Sequence, residues 1–294
     1  MLTFSLIYCY YDAMSFATSQ QIDKYLELYK DVPVTFSKEI MDVLSFDVKQ
    51  AYVRASGGQW PCIINSVSMI DAKIICNKNS GLLKNISTKS FSNAALRFSF
   101  ADADSKEPVS FFVNIKLLGV SDYQMPDLVL VSLSYTQRAP DALIERLGKV
   151  ISANVNVQRF PNEKILLSDV NMRRIGLSKK ETVIFIEGVP RRCILQNVSF
   201  SGATVYMMGV ASFLKNKIVT LKFEFLDPDI AMAVKGKTCK ARALEDRKDL
   251  VSLTIEYESQ KVPMNYQLCL NKYFELPKKL LTTNAQEPME ETDE

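Results

Sequence analysis

Histidine is missing from all 294 residues. Its absence removes the commonest general base and metal ligand, and with them any Ser-His-Asp or Cys-His nucleophile system. Cys-x-x-Cys pairs are missing too: Cys9, Cys62, Cys76, Cys193, Cys239 and Cys269 are scattered along the chain, which argues against a zinc site and against a disulfide framework. No Gly-rich loop is followed by a lysine in the manner of a phosphate-binding loop. The chain is therefore read as a non-enzyme, with no catalytic residues, no metal and no cofactor.

Long apolar runs are also lacking. The opening "MLTFSLIYCYYDAM" has no positive flank and stops at Asp12, too short for a bilayer span and a poor signal peptide. A cytoplasmic protein is expected. Met14 is an alternative initiator to Met1, because "MSFATSQQIDKYLELY" begins like an ordinary soluble N-terminus, and the Asn-x-Ser triplets at Asn85 and Asn197 then carry no glycan. The C-terminal "TTNAQEPMEETDE" lacks apolar periodicity and holds Glu287, Glu290, Glu291, Asp293 and Glu294, so it reads as a disordered acidic tail. Removing those five negative charges from a net +3 leaves about +8 on the body, which suits an anionic ligand or surface.

What is present is strand periodicity, interrupted by three helical patterns. Ile22, Tyr25, Leu26 and Tyr29 fall on one helical face of "SQQIDKYLELYK". "VSFFVNIKL" from Val109, "LVLVSLSYT" ending at Thr136, "IVTLKFEFL" from Ile218 and "LVSLTIEY" from Leu250 alternate with the period of a half-buried strand. Between them "APDALIERLGKVISANV" reads as a helix, with Pro140 and Asp141 at its start and Leu143, Ile144, Leu147, Val150 and Ile151 as its apolar stripe. A last helix is expected from Pro263, ending before Pro277.

The two halves repeat each other. Setting residue i beside i+131 aligns "GGQWPCIINSVSMIDAKII" from Gly57 with "GVPRRCILQNVSFSGATVY" from Gly188. Gly57, Cys62, Ile63, Val67, Ser68 and Ala72 meet identical residues at Gly188, Cys193, Ile194, Val198, Ser199 and Ala203. This implies two copies of one fold. The turn at the centre of the match differs: the second copy reads Asn197-Val-Ser199-Phe-Ser-Gly202, whereas Ser66 and Asp71 stand where Asn197 and Gly202 do. Hairpin chemistry alone accounts for Asn, Ser and Gly in such a turn. The same atoms also suit a guanine nucleotide: an amide that donates and accepts, a hydroxyl, and a backbone that a ring or phosphate can approach, with arginine as natural complement.

This turn, entered from one strand and left into another, resembles the Asp/Asn-x-Ser-x-x-Gly signature of the PilZ domain family of bacterial cyclic-di-GMP receptors. The first copy is similar to the PilZ-like N-terminal domain of spirochete-type two-domain receptors. The resemblance spans about residues 18–277. It implies a mainly β chain: two PilZ-like six-stranded antiparallel β-barrels with an interdomain helix and a C-terminal helix. The corresponding division is a poorly ordered 1–17, an N-terminal barrel at 18–137, helix and linker at 138–158, a PilZ domain at 159–277 and the acidic tail at 278–294.

The family's second motif, Arg-x-x-x-Arg in the interdomain linker, is absent, since no two arginines of the chain are four apart. The best match in "NVQRFPNEKILL" puts Phe160 and Lys164 at the two arginine positions, with Arg159 one residue off register. "MRRIGLSKK" is a lesser candidate, with Arg174 followed by Ser178 and Lys179. Arg191 and Arg192, just upstream of the motif, read as solvated hairpin charges. The resemblance implies a cyclic-di-GMP receptor with Asn197, Ser199 and Gly202 in the turn and Arg159 and Lys164 as linker cations. It would signal in motility, virulence or adhesion through an effector protein, for example one of the flagellar motor. The alternative is an adaptor that has lost the ligand. Nucleic-acid binding is given little weight, because the strand aromatics such as Phe111, Phe223 and Phe225 read as core.

Overall fold

The computed structural model describes residues 18–83, 94–101, 107–244 and 247–275. The expected disordered ends and Asn85 lie outside them. The chain divides into two compact units, one ending at Ile151 and the other beginning at Ser152.

The first unit opens with α1 (Ser19–Tyr29), whose amide at Gln21 donates to the Thr18 hydroxyl. Ile22 and Tyr25 of the expected stripe are buried. Tyr25 fits against the long helix α3 (Asp141–Arg159) because residue 148 is glycine: a Cβ there would stand 2.3 Å from the Tyr25 ring. Leu143, Ile144, Leu147 and Val150 of α3 are fully buried, as the apolar stripe requires.

Between these helices lie β1 (Val34–Thr35), α2 (Lys38–Val43), β2 (Tyr52–Ala55), β3 (Gly58–Pro61), β4 (Ile63–Val67), β5 (Asp71–Asn77), β6 (Ala94–Phe100), β7 (Val109–Asp122) and β8 (Leu128–Tyr135). They pair antiparallel in the order β1-β4-β5-β8-β7-β6-β2-β3. Strand β3, at one end of this order, and β4, next to β1 at the other, are separated in sequence by Cys62 alone, and the Cys62 N–H donates to the Ala51 carbonyl at 3.2 Å. They act as one strand with a one-residue interruption, which brings the sheet round on itself.

The second unit contains β9 (Ile165–Leu166), α4 (Asp169–Ile175), β10 (Glu181–Ile186), β11 (Val189–Val198), β12 (Gly202–Met208), α5 (Ala211–Leu214), β13 (Ile218–Leu226), β14 (Asp229–Leu244), β15 (Arg247–Tyr257) and α6 (Met264–Glu275). Here the closure is complete: β10-β13-β14-β15-β12-β11 is a ladder, β10 also pairs with β11, and β9 lies outside on β11. The barrel is filled by alternate residues, for example Val219, Leu221, Phe223 and Phe225 of β13, each 1% exposed or less. Closure removes free sheet edges.

The duplication seen in the sequence extends to irregularities. Strand β11 takes alone the place that β3 and β4 take together. Gly57 and Gly188 both adopt left-handed φ, 78° and 86°, in the hairpin before it. Both copies carry a bulge at the same point, between Ile64 and Ser66 and between Leu195 and Asn197. Beyond the turn the register changes, since Asp71 faces Ser134 as Gly202 faces Glu256. In that register Tyr135 matches Tyr257 and Ile144 matches Tyr266.

Candidate functional site

The motif turn lies where β11 passes into β12. The Ser199 N–H donates to the Gly202 carbonyl at 2.8 Å, and the Ser199 hydroxyl donates to the same oxygen at 3.1 Å. Ser199, 6% exposed, thus closes the turn with its own side chain, as hairpin chemistry predicts. Gly202 is needed for packing: a Cβ there would come within 2.3 Å of the Ile255 carbonyl of β15. The bare Cα, which the motif offers to a ligand and hairpin chemistry to the turn itself, admits a neighbouring strand in the fold.

From α6, Tyr266 rises under the turn. Its hydroxyl donates to the Ser199 carbonyl at 2.9 Å and lies 3.3 Å from the Tyr257 hydroxyl. Burial pushes both phenols well above the ordinary tyrosine pKa, and the neighbouring Tyr257 adds to the rise at Tyr266, so both stay neutral donors.

The linker after α3 is bonded to this turn. The Ser201 N–H donates to the Pro161 carbonyl at 3.0 Å, and the Ser201 hydroxyl to Asn162 Oδ1 at 2.6 Å. Further on, the Leu167 N–H donates to the Gln196 carbonyl, and β9 pairs Leu166 with Asn197. Three rings complete the junction: Phe160 of the linker stacks on Phe274 of α6 at 5.3 Å and 3°, and Phe274 stacks on Phe200 of the turn at 5.3 Å. The two segments singled out in the sequence, motif and linker, are therefore adjacent.

Asn197 differs from its neighbours in this cluster. It is 6% exposed, yet its side-chain amide makes no hydrogen bond to another described residue. The amide is therefore available to a molecule that reaches the turn, as donor and as acceptor. Arg159, at the end of α3, is exposed, with its guanidinium 6.0 Å from the Phe160 ring centre. Lys164 is exposed as well. Neither cation has an ion-pair partner among the described residues. Phe160, at an expected arginine position, is taken up by the ring stack.

The lesser candidates are elsewhere. Arg174 lies over the Tyr273 ring at 5.5 Å and Lys179 pairs with Glu224 at 2.8 Å. Arg191 and Arg192 are opposite Ile184 and Val183, toward the other end of β11 from the turn. They line an outer groove with Glu181, Tyr206 and Met208. In the first copy the equivalent turn satisfies itself: the Ser68 hydroxyl donates to Asp71 Oδ1 at 2.7 Å and accepts from the amides of Ile70 and Asp71. Beneath it the Tyr135 hydroxyl is buried without a hydrogen-bond partner among the described residues. Tyr266, Phe274 and Ser201 were not singled out in the sequence; only the mismatch of Tyr266 with Ile144 between the copies could have flagged the first.

Residues 20–154 match a family model described as the PilZN3 domain. The chain is 49% identical over 268 residues to a protein of Treponema denticola named cyclic di-GMP binding protein, covering 90% of this chain and 85% of that protein. Among solved structures, Borreliella burgdorferi PlzA in complex with c-di-GMP matches 87% of this chain and 99% of its own, at 21% identity and a TM-score of 0.40. Escherichia coli YcgR in complex with c-di-GMP matches 78% and 85%, at 10% identity and a TM-score of 0.25.

Proposed function

The chain belongs to the PilZ family of proteins, with a PilZN3 domain in its first half, and from that premise we propose that it is a receptor for cyclic-di-GMP whose site lies at the turn of the second barrel. The observation that carries the reading is the meeting of motif and linker: Asn197, whose side-chain amide has no hydrogen-bond partner among the described residues, lies beside a segment that carries two exposed cations without an ion pair among those residues, Arg159 and Lys164. An amide so placed donates to and accepts from a base edge, while Arg159 and Lys164 meet the phosphates. Ser199 and Gly202 act by shape. The hydroxyl closes the turn, the missing side chain lets β15 approach, and together they hold Asn197 in place.

The reading is of a receptor rather than an enzyme, since neither the turn nor the linker offers an activated nucleophile or base. A cytoplasmic location and an effector protein, acting in motility, virulence or adhesion, belong to the same proposal. A ligand-independent adaptor is the second reading. It is favoured by one feature, the commitment of Phe160 to the stack with Phe274 at a position where the family motif has arginine.

Calorimetric titration of the full chain with cyclic-di-GMP tests the two. Binding is expected, and Asn197→Ala should weaken it by roughly three- to tenfold, as for the loss of a net hydrogen bond. Absence of heat and of any ligand-induced rise in Tm would favour the adaptor.

A further inference from the structure

The outer face of the first barrel carries an arrangement that the cyclic-di-GMP reading does not use. Residues alternate across β2, β6 and β7, so that Val53, Leu96, Phe98 and Val113 fill the interior at 0% exposure. Their neighbours Tyr52, Arg97 and Phe112 point outward. Register aligns these three in one row, Tyr52 opposite Arg97 and Arg97 opposite Phe112. Arg54, one pleat along β2, lays its guanidinium over the Phe112 ring at 4.2 Å, and Arg97 lies 5.4 Å from the Tyr52 ring. The two rings meet edge to face at 6.0 Å.

Arg97 is fixed further by hydrogen bonds to Gln50 and, at 3.3 Å, to Ser110. Arg54 is exposed and makes no ion pair among the described residues. The remaining residues on this side are Gln59 and Pro61 on β3 and Ser110, Asn114 and Lys116 on β7, all exposed, with Ala95 and Ser99 of β6 buried beneath their neighbours. None is a carboxylate. Three cations and two rings therefore share a face on which these strands place no carboxylate among the described residues.

From this we infer that the outer face of the first barrel binds single-stranded nucleic acid, with the Arg54 and Arg97 guanidinium planes and the rings of Tyr52 and Phe112 as a stacking platform for bases. Guanidinium planes stack on bases and fork to phosphates at once, and a ring behind each plane holds it flat. Such a combination of aromatic and cationic side chains on a β-barrel accepts bases with little sequence preference. The sequence hid the platform because period-two alternation does not say which face of a strand is inside when both carry aromatic residues: Phe111 and Phe112 are consecutive, and they point opposite ways.

The test is fluorescence anisotropy of a labelled oligothymidylate with the full chain, alongside an abasic oligonucleotide of equal length, heparin and phosphatidylserine vesicles. The oligothymidylate should bind more tightly than the abasic strand. Phe112→Leu should weaken binding to it by roughly five- to a hundredfold and leave heparin binding unchanged. Arg54→Gln, at an exposed position that tolerates change, should weaken it too and lower the salt slope by about 0.7. Arg191→Gln, in the other unit, should have no effect. Equal affinity for the abasic strand, no loss in Arg54→Gln, vesicle binding without oligonucleotide binding, or no binding up to roughly 100 μM, the weak end of non-specific association, would each overturn the inference. Cyclic-di-GMP titration of the same variants should be unchanged, which separates this face from the site in the second barrel.

Discussion

Replacing Phe160 by arginine sets two effects of the site against each other, and they report on different observables. The Phe160 ring stacks on Phe274 at 5.3 Å, almost parallel, and such a pair contributes about 0.5–1.5 kcal/mol beyond the area it buries. Losing it should lower the Tm of the ligand-free chain by roughly 2–4 °C per kcal/mol. The backbone should hold, because the Phe160 N–H still donates to the Asn156 carbonyl and Ser201 still bonds Pro161 and Asn162. In the complex the arginine gains a hydrogen bond to a charged group, worth about 1.5–3 kcal/mol, so affinity for cyclic-di-GMP should rise roughly ten- to a hundredfold. Changing Lys164 to arginine as well should add to the gain, since lysine keeps the charge without the planar fork. Calorimetry and thermal melting of wild type, Phe160→Arg and Phe160→Leu separate the effects. Leucine should lose the same Tm and gain no affinity. If arginine and leucine give the same Kd, Phe160 does not face the ligand and the assignment of the linker cations fails.

Two further outcomes follow from packing and burial. Gly202→Ala should cost about 1–3 kcal/mol, because its Cβ would meet the fixed Ile255 carbonyl at 2.3 Å, whereas Gly209→Ala meets only the end of the Leu214 side chain at 3.0 Å and should be mild; urea midpoints that do not separate the two would refute the argument. Burial pushes the thiols of Cys62, Cys193 and Cys269 up to about 12, above their unfolded value near ~8.5. The folded chain thus holds protons that the unfolded chain releases, and stability that is whole below pH ~8.5 should be lost progressively toward pH 12, each thiol contributing up to about 1.4 kcal/mol per pH unit; a urea midpoint that stays flat from pH 8 to 11 would contradict this.

Local pattern carried most of the fold. The stripes of α1 and α3, the alternation of β7, β8, β13 and β15, and the match of Gly57 with Gly188 need only neighbours in sequence to be read, and each corresponds to an element or a turn of the structure. The site was less legible because its contacts are long-range. Nothing near Ser199 reveals that Tyr266 will reach its carbonyl, or that Ser201 will bond Asn162. Gly202 was ambiguous for another reason: glycine records that something comes close, and a strand leaves the same mark in the sequence as a ligand does.

Helix α3 bears on how the protein can be taken apart. It runs from Asp141 to Arg159 through the boundary between Ile151 and Ser152, burying Leu143 and Leu147 in the first unit while Val157 packs on the core of the second. A cut at the boundary would strip four carbonyls on one side and four amides on the other of their helical partners. Fragments meant to fold alone should therefore overlap, 18–159 and 141–275, so that the nineteen residues of the helix are present in both.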